Sequence, residues 1–460
     1  MKIEIKSLLR KEERREKTYV YLTIFIIFII AAIIFFSRYD IVPKHTEVES
    51  VKVDYWTFDE MYKSYMETNI SNWNAHNTPI IELNTSVYSL DELDYKLWTS
   101  LQSGINAPDI VDMEQSKLSR YMDPRFNYLV PLNSIIDPKK DMIPEFSYSR
   151  YKRKGLYYAI DYYDNNAVIF YNNTAFKEIG IDPGKIKTFE QYIDAGKKLK
   201  DKTNKYLLAV DYTDDLTYEI LITKENSGYL DVNNNIKLNS DKNIAVLEIL
   251  HNLIKDGIAI PAPTGDFFSY EFYTLLNSGK VASIIAPYWY KGYIKEYMPQ
   301  LYNELVVSSV PSIFDDSRLT TKISGVATAI TNQCDNPILL KNLLRDTRLQ
   351  KDPGSNIFYN LSGDPIVNES WNELMNQAEM NMLSDSEAAE IKLLSVIRND
   401  YKQIQYSENY DKAINEINNN VLFQVLKENI KSPKDALDEA QALLFESNIT
   451  LENINTGELK

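Results

Sequence analysis

The sequence predicts an α/β fold in two parts, and three observations carry that expectation. Between residues 51 and 113 strand and helix patterns alternate as strand, helix, strand, helix, strand, the order of a parallel sheet covered by helices. A second set of strands and helices begins near Leu156. At 460 residues the chain is also too long for one simple core.

The chain opens on a basic arm, residues 1–18, followed by an apolar run from Tyr19 to Phe36. Eighteen such residues reach the lower end of what spans a bilayer as a helix. Seven Lys/Arg precede the run and only Arg38 and Lys44 come closely after it. That bias puts the N-terminus in the cytoplasm and everything after residue 37 outside. A cleaved signal peptide is the competing reading. It fits less well, because Phe35 and Phe36 precede Ser37 where small residues should mark a cleavage site. We therefore expect an uncleaved single-pass anchor held in the lipid bilayer through residues 19–36, with a polar stalk over 37–50.

The arm carries +3 of the formal net charge of −15, which leaves −18 on the remainder of the chain. An acidic exterior argues against a nucleic-acid partner and against adhesion to anionic lipid. One cysteine, Cys334, allows no internal disulfide and no multi-cysteine metal site. His45, His76 and His251 stand far apart, without metal-ligand spacing. No metal and no cofactor are expected. The 33 tyrosines against 17 phenylalanines suit polar-lined clefts, although compositional bias alone would also produce them.

Past the stalk, Val51 to Phe58 alternates as a strand, a helix runs to Trp73, and a second strand lies around Ile80 to Leu83. Leu90, Leu93, Leu97 and Leu101 share one face of a helix over 89–103 that stops at Gly104. A third strand spans Ala107 to Met113. In the second part, strands are expected at Ala167–Tyr171, Leu207–Val210, Ala282–Ala286, Val306–Val310 and Thr328–Ile330. Helices are expected at Phe189–Leu199, behind Thr188 as N-cap, and at Ile244–Lys255. From about residue 370 the pattern is almost wholly helical, including 413–428 and 433–445, and residues 453–460 read as a frayed tail.

Ligands of open parallel sheets bind beyond the carboxyl ends of the strands. Three such ends carry aromatic or hydrogen-bonding side chains: Trp56 to Phe58, Glu114-Gln115-Ser116, and Tyr288-Trp289 with Tyr290. An aromatic strand end either finishes a core or presents flat, polar-edged faces to an amphipathic ligand such as a sugar ring. Asp109, Asp112 and Glu114, or Asp214 and Asp215, offer the carboxylates a glycosidase would need. Carboxylates this close in sequence are more commonly turns or helix caps. No nucleophile elbow, phosphate loop or metal motif supports another enzyme class, so no catalytic residue is expected.

Many segments, in order, resemble the family-1 extracellular solute-binding proteins, the carbohydrate-capturing components of bacterial ABC importers related to maltose-binding protein. They are Tyr55-Trp-Thr-Phe58, Trp73-Asn74, Lys96-Leu97, Leu101-Gln-Ser-Gly104 and Ala107-Pro-Asp-Ile-Val-Asp112. Lys154-Gly155-Leu-Tyr-Tyr-Ala159, Phe170-Tyr-Asn172, Phe176, Gly180-Ile181 and Lys187-Thr-Phe-Glu190 continue the series. Gly279-Lys-Val-Ala282, Ala286-Pro-Tyr-Trp289, Ser324-Gly325, Ala329-Ile-Thr331 and Ser432-Pro-Lys-Asp-Ala-Leu437 complete it, so that the resemblance covers roughly 51–447.

The resemblance implies a two-lobe periplasmic-binding-protein-like fold of type II, with lobes joined by crossing hinge segments. Lobe one would hold 51–160 and 322–370, and lobe two 161–321 and 371–460. A mono- or oligosaccharide would lie between them, and an ABC permease would receive it from a monomeric protein after hinge closure. By position the ligand would meet Trp56, Phe58, Asp59, Glu114, Gln115 and Ser116 on lobe one, and Tyr162 and Asp164 at the crossover. Asp214, Asp215, Tyr288 and Trp289 would serve lobe two, with Ser324 and Gly325 where the chain returns. The chain departs from the family pattern in having Asp161 where proline is usual, Ser324 where a second glycine is common, only 14 glycines, and an apolar helix instead of a lipid anchor. A membrane-tethered sensor with the same lobes is the alternative role.

Overall fold

Strand β1 (Ser50–Thr57) alternates buried and exposed side chains, as the pattern of its sequence requires. In the computed structural model, which describes residues 2–38, 49–123, 125–323, 325–404 and 406–456, it belongs to a five-stranded mixed sheet. The order is β2 (Ile80–Val87), β1, β3 (Ile110–Glu114), β12 (Val326–Ile330) and β6 (Ala159–Asp161). β1 and β3 run parallel, whereas β12 lies antiparallel to both of its neighbours. The expected third strand thus starts three residues late, and the strand just after Leu156 joins the first sheet instead of opening a second part.

Between β2 and β3 the helix Leu90–Ser103 forms for local reasons. Ser89 caps it by accepting from the Glu92 amide at 3.4 Å, and Gly104 ends it in the left-handed region at φ 72°. Leu93, Leu97 and Leu101 are buried against Val111 and Met113 of β3 and Ala327 and Ala329 of β12. Burial of each leucine contributes about 2 kcal/mol.

The second sheet is also five-stranded and mixed, in the order β11 (Leu305–Ser308), β7 (Ala167–Asn172), β10 (Val281–Pro287), β8 (Tyr206–Val210), β9 (Ala259–Pro261). β10 lies antiparallel to β7 and parallel to β8. Every residue of β7 and β10 is buried, which is why both read as continuous apolar runs without alternation. The helices Phe189–Thr203, with a Thr188–Gln191 capping box, and Asp241–Lys255, capped by Ser240, come after β7 and β8. A two-residue pair, β4 (Lys152–Arg153) with β5 (Leu156–Tyr157), precedes β6.

The chain crosses between the sheets at 162–166, again between β11 and β12, and beside both at 362–366. These segments are tied together by backbone bridges, Asp164 to Asp364 and Asn166 to Lys322. Buried charges fill the junction: Lys322 is ion-paired with Asp164, Arg398 Nε lies 3.9 Å from Asp164, and Asn166 Nδ2 donates to Asp364 at 2.6 Å. Gly325 has no room for a side chain, since a Cβ there would stand 2.5 Å from Gln115 Nε2 and from Asn165 Cγ.

After residue 367 come the helices Asn368–Glu379, Asp385–Ile397 and Glu408–Glu416. The helix expected over 413–428 is α-helical only to Glu416 and then widens into two π turns, Ile417–Val421 and Phe423–Lys427. The last helix, Pro433–Thr456, extends past residue 453, where a frayed tail was expected, and residues 457–460 lie outside the described set. At the other end a single helix spans Lys2–Arg38 and contains an apolar stretch, Arg14–Ile34, long enough to cross a membrane. Most of the expected stalk, residues 39–48, lies outside the described set.

Candidate ligand-binding cleft

The carboxyl ends of both sheets open onto one cavity of about 890 Å³. Phe58 and Asp59 lead from β1 into it. Glu114 ends β3, and Val326 stands opposite it in register at the start of β12. From the second sheet, Thr213, Asp214 and Asp215 come after β8, Asp266 and Phe268 after β9, and Trp289 after β10. A third wall comes from the late helices, with Tyr410 and Ile414 one turn apart on Glu408–Glu416, Tyr406 just before that helix and Asn418 on the π turn after it.

Of the site residues expected from sequence, Phe58, Asp59, Glu114, Ser116, Asp214, Asp215, Trp289 and Gly325 line this cavity together. Ser324 lies outside the described residues. The others face elsewhere. Trp56 sits on the opposite face of β1 from Tyr55 and packs edge-on against Tyr88, with ring centroids 5.3 Å apart. Gln115 is buried, donating to Asp161 at 2.9 Å and accepting from Arg150. Tyr162 is buried too, with its hydroxyl donating to Asp112 at 2.6 Å and its ring 3.7 Å from the Arg348 guanidinium carbon. Asp164 is held by Lys322 in the crossing segments.

Tyr288 corrects the expectation of an exposed aromatic strand end. Residues 288–290 form a 3₁₀ turn beyond β10, and all three side chains are buried. The Tyr288 hydroxyl donates to Glu390 at 2.6 Å, and Tyr290 donates to the Phe267 carbonyl at 2.5 Å. Trp289 alone reaches the cavity, at 8 % exposure. Phe268 lies parallel to its ring at 6.4 Å, and Tyr293 stands edge-on at 6.0 Å. Sequence reasoning passed over Phe268 and Tyr293. Tyr293 was legible, because it falls four residues after Trp289 once the segment is read as helical.

Asp59 does two structural jobs while lining the cleft. Its Oδ1 accepts from the Met61 amide at 2.8 Å and caps the helix Glu60–Asn74, and its Oδ2 accepts the Tyr293 hydroxyl from across the cleft. Burial pushes the Glu114 carboxyl up to about 7, and the charge of Asp214 adds to the effect. Burial also raises Asp214, Asp215 and Glu219 above the usual carboxylate range. Asp112, a conceivable catalytic acid in sequence, is buried and accepts from Tyr55, Tyr162 and Thr328 instead of facing the cavity. Among the described residues, no group of three or more His, Cys, Asp or Glu side chains is placed to hold a metal ion.

Two mixed α/β sheets whose strand ends share a cleft, with the chain crossing between them, make this a two-lobe periplasmic-binding-protein fold. The unliganded and acarbose-bound GacH receptor of Streptomyces glaucescens superposes with a TM-score of 0.73 at 16% identity, covering 86% of this chain and 98% of its own. The bacterial extracellular solute-binding protein family matches residues 57–341, and the chain belongs to it. It is therefore an extracellular binding protein and not an enzyme. An arabinooligosaccharide-binding protein of Bacillus subtilis is 30% identical over 392 residues, which are 85% of this chain and 90% of the relative. A protein of the same description from Halalkalibacterium halodurans is 28% identical over 84% of this chain and 87% of its own length.

Proposed function

We propose that this protein captures an oligosaccharide, a short arabinose chain by analogy with its relatives, between its two lobes and delivers it to an ABC permease. The observation that carries the reading is the cavity itself. Its 890 Å³ suits several sugar rings, and it sets the Trp289 face among carboxylates from both sheets. Aromatic faces take the C–H side of a sugar ring, and carboxylates accept its hydroxyls. Phe58, Asp59, Glu114, Ser116, Asp214, Asp215, Trp289 and Gly325 are the proposed ligand contacts. Trp56, Gln115, Tyr162, Asp164 and Tyr288 act by supporting them.

In this reading lobe one comprises 51–160 and 322–370, and lobe two comprises 161–321 and 371–460. The crossing segments are the hinge of a type II fold, and the apolar helix keeps the monomer in the membrane while the lobes work outside it. Calorimetry with α-1,5-linked arabinotriose, arabinotetraose and maltotriose tests the ligand. Trp289→Ala should weaken the best of them at least tenfold, or about 1.4 kcal/mol. Unchanged affinity in that variant would remove Trp289 from the site, and no binding by either arabinose chain would remove the arabinose-chain reading.

A further inference from the structure

The charged side chains lining the cleft are mostly acidic, with nine carboxylates against two cations among the described residues. Carboxylates enter from lobe one (Asp59, Asp91, Asp94, Glu114), from lobe two (Asp214, Asp215, Glu219, Asp266) and from the late helices (Asp411). Glu114 and Asp214 are near enough to repel each other although they belong to different sheets, and Glu219 repels Asp215, Glu114 and Asp214.

Three of these acids are partnered by neutral hydroxyls. Tyr229 donates to Asp215, Tyr410 donates to Glu219, and Ser119 donates to Asp411 at 2.9 Å. Two cations among the described residues line the cavity, Arg120 and Lys117. Arg120 is paired with Asp94 at 2.9 Å and lies over the Trp98 ring at 4.8 Å. Lys117 is shared electrostatically by Glu114, Asp214 and Asp411.

Asn418, on the π turn, is an independent sign of what the cleft takes. Its Oδ1 is buried with no partner among the described residues. A buried acceptor left open at the cavity wall calls for a donor from the ligand.

We propose that this acceptor wall sets the charge class of the ligand: the cleft takes uncharged glycans and rejects those bearing a uronic acid. The inference rests on the reading that the cleft holds a glycan. A sugar hydroxyl supplies further donors to these acceptors, the open Asn418 Oδ1 among them. A uronate carboxylate is itself an acceptor and an anion, and it meets an excess of like charge in which lining acids far outnumber the two lining cations.

Three probes separate charge from shape: arabinotetraose, the same tetraose with its non-reducing terminal primary alcohol oxidised to the carboxylate, and the methyl ester of that acid. In calorimetry on the intact protein at pH 8 and low salt, the acid should bind at least tenfold more weakly than arabinotetraose. The ester should recover most of the loss, and the deficit of the acid should shrink in Asp214→Asn and at 0.5 M salt. Acid and parent binding within twofold would overturn the charge selection while leaving the glycan reading standing. An ester as weak as the acid would also overturn it, because the lost hydroxyl would then explain the deficit. If none of the three binds, the arabinose-chain reading falls and this inference falls with it.

Discussion

Asp161 stands where relatives of this type usually have proline, and the structure gives it a role of its own. It is fully buried and accepts from Gln115 Nε2 at 2.9 Å and from the Tyr151 hydroxyl, close to the Arg150 guanidinium. Burial outweighs these partners and raises its carboxyl to about 7. The folded state therefore holds this proton more tightly than the unfolded chain does. Its contribution to stability is fully present below the unfolded pKa near 4 and is lost as the pH rises through 7. Asp161→Asn should remove that slope, on the order of 3 kcal/mol between pH 4 and 7. Urea unfolding at the two pH values would read it, and an unchanged slope would show that Asp161 titrates normally. From sequence, Asp161 was noticeable only as a departure. Its partners come from Tyr151, Arg150 and Gln115, on other segments and beyond the reach of any local pattern.

Among the elements, the crossing segments hold the least expected chemistry. Lys322, Asp164, Arg398 and Asp364 are buried together, and the Lys322 Nζ also lies 3.8 Å from the Phe146 ring centroid and 4.4 Å from that of Tyr401. Removing the lysine leaves the buried Asp164 carboxylate with the Asn165 amide and a longer contact to Arg398, and no close cation. Lys322→Met should therefore cost about 3–5 kcal/mol, measurable as an earlier denaturant midpoint. Asp164→Asn in the same background should recover part of the loss, because the unpaired charge goes with it. Failure to recover would mean that the lysine acts through its aromatic contacts instead. Strands and helices were legible to within a few residues wherever a cap or a period marked them, as at Ser89 and Gly104 or Thr188 and Gln191. The 3₁₀ turn at 288–290 and the π turns after Glu416 were not, because both are departures from regular periods imposed by packing.

For the whole molecule, the N-terminal helix and the binding lobes make separable predictions. If the apolar stretch Arg14–Ile34 is an uncleaved anchor, the full chain should sediment with membranes and keep Met1 on N-terminal sequencing. Cleavage after residue 36 would identify it as a signal segment. A chain beginning at residue 49 should be soluble and should bind the same ligand with the same affinity. X-ray scattering of that shorter chain should show the radius of gyration falling when ligand is added, as closure about the crossing segments requires. An unchanged radius would exclude a closing hinge.

Repeating patterns were enough to foresee the α/β alternation, the capped helices, the N-terminal apolar helix and the resemblance to solute-binding proteins. Each of these is written in short windows of sequence, in the periods 2 and 3.6 and in stop residues such as Gly104. Which side chains face the ligand depended on non-local packing. Tyr288 and Trp289 are adjacent in a tight turn; Glu390, about a hundred residues on, claims the first, and the cleft receives the second. The acceptor wall is likewise made by Glu114, Asp214 and Asp411, acids that carry no common motif and meet only because three distant segments fold around one cavity.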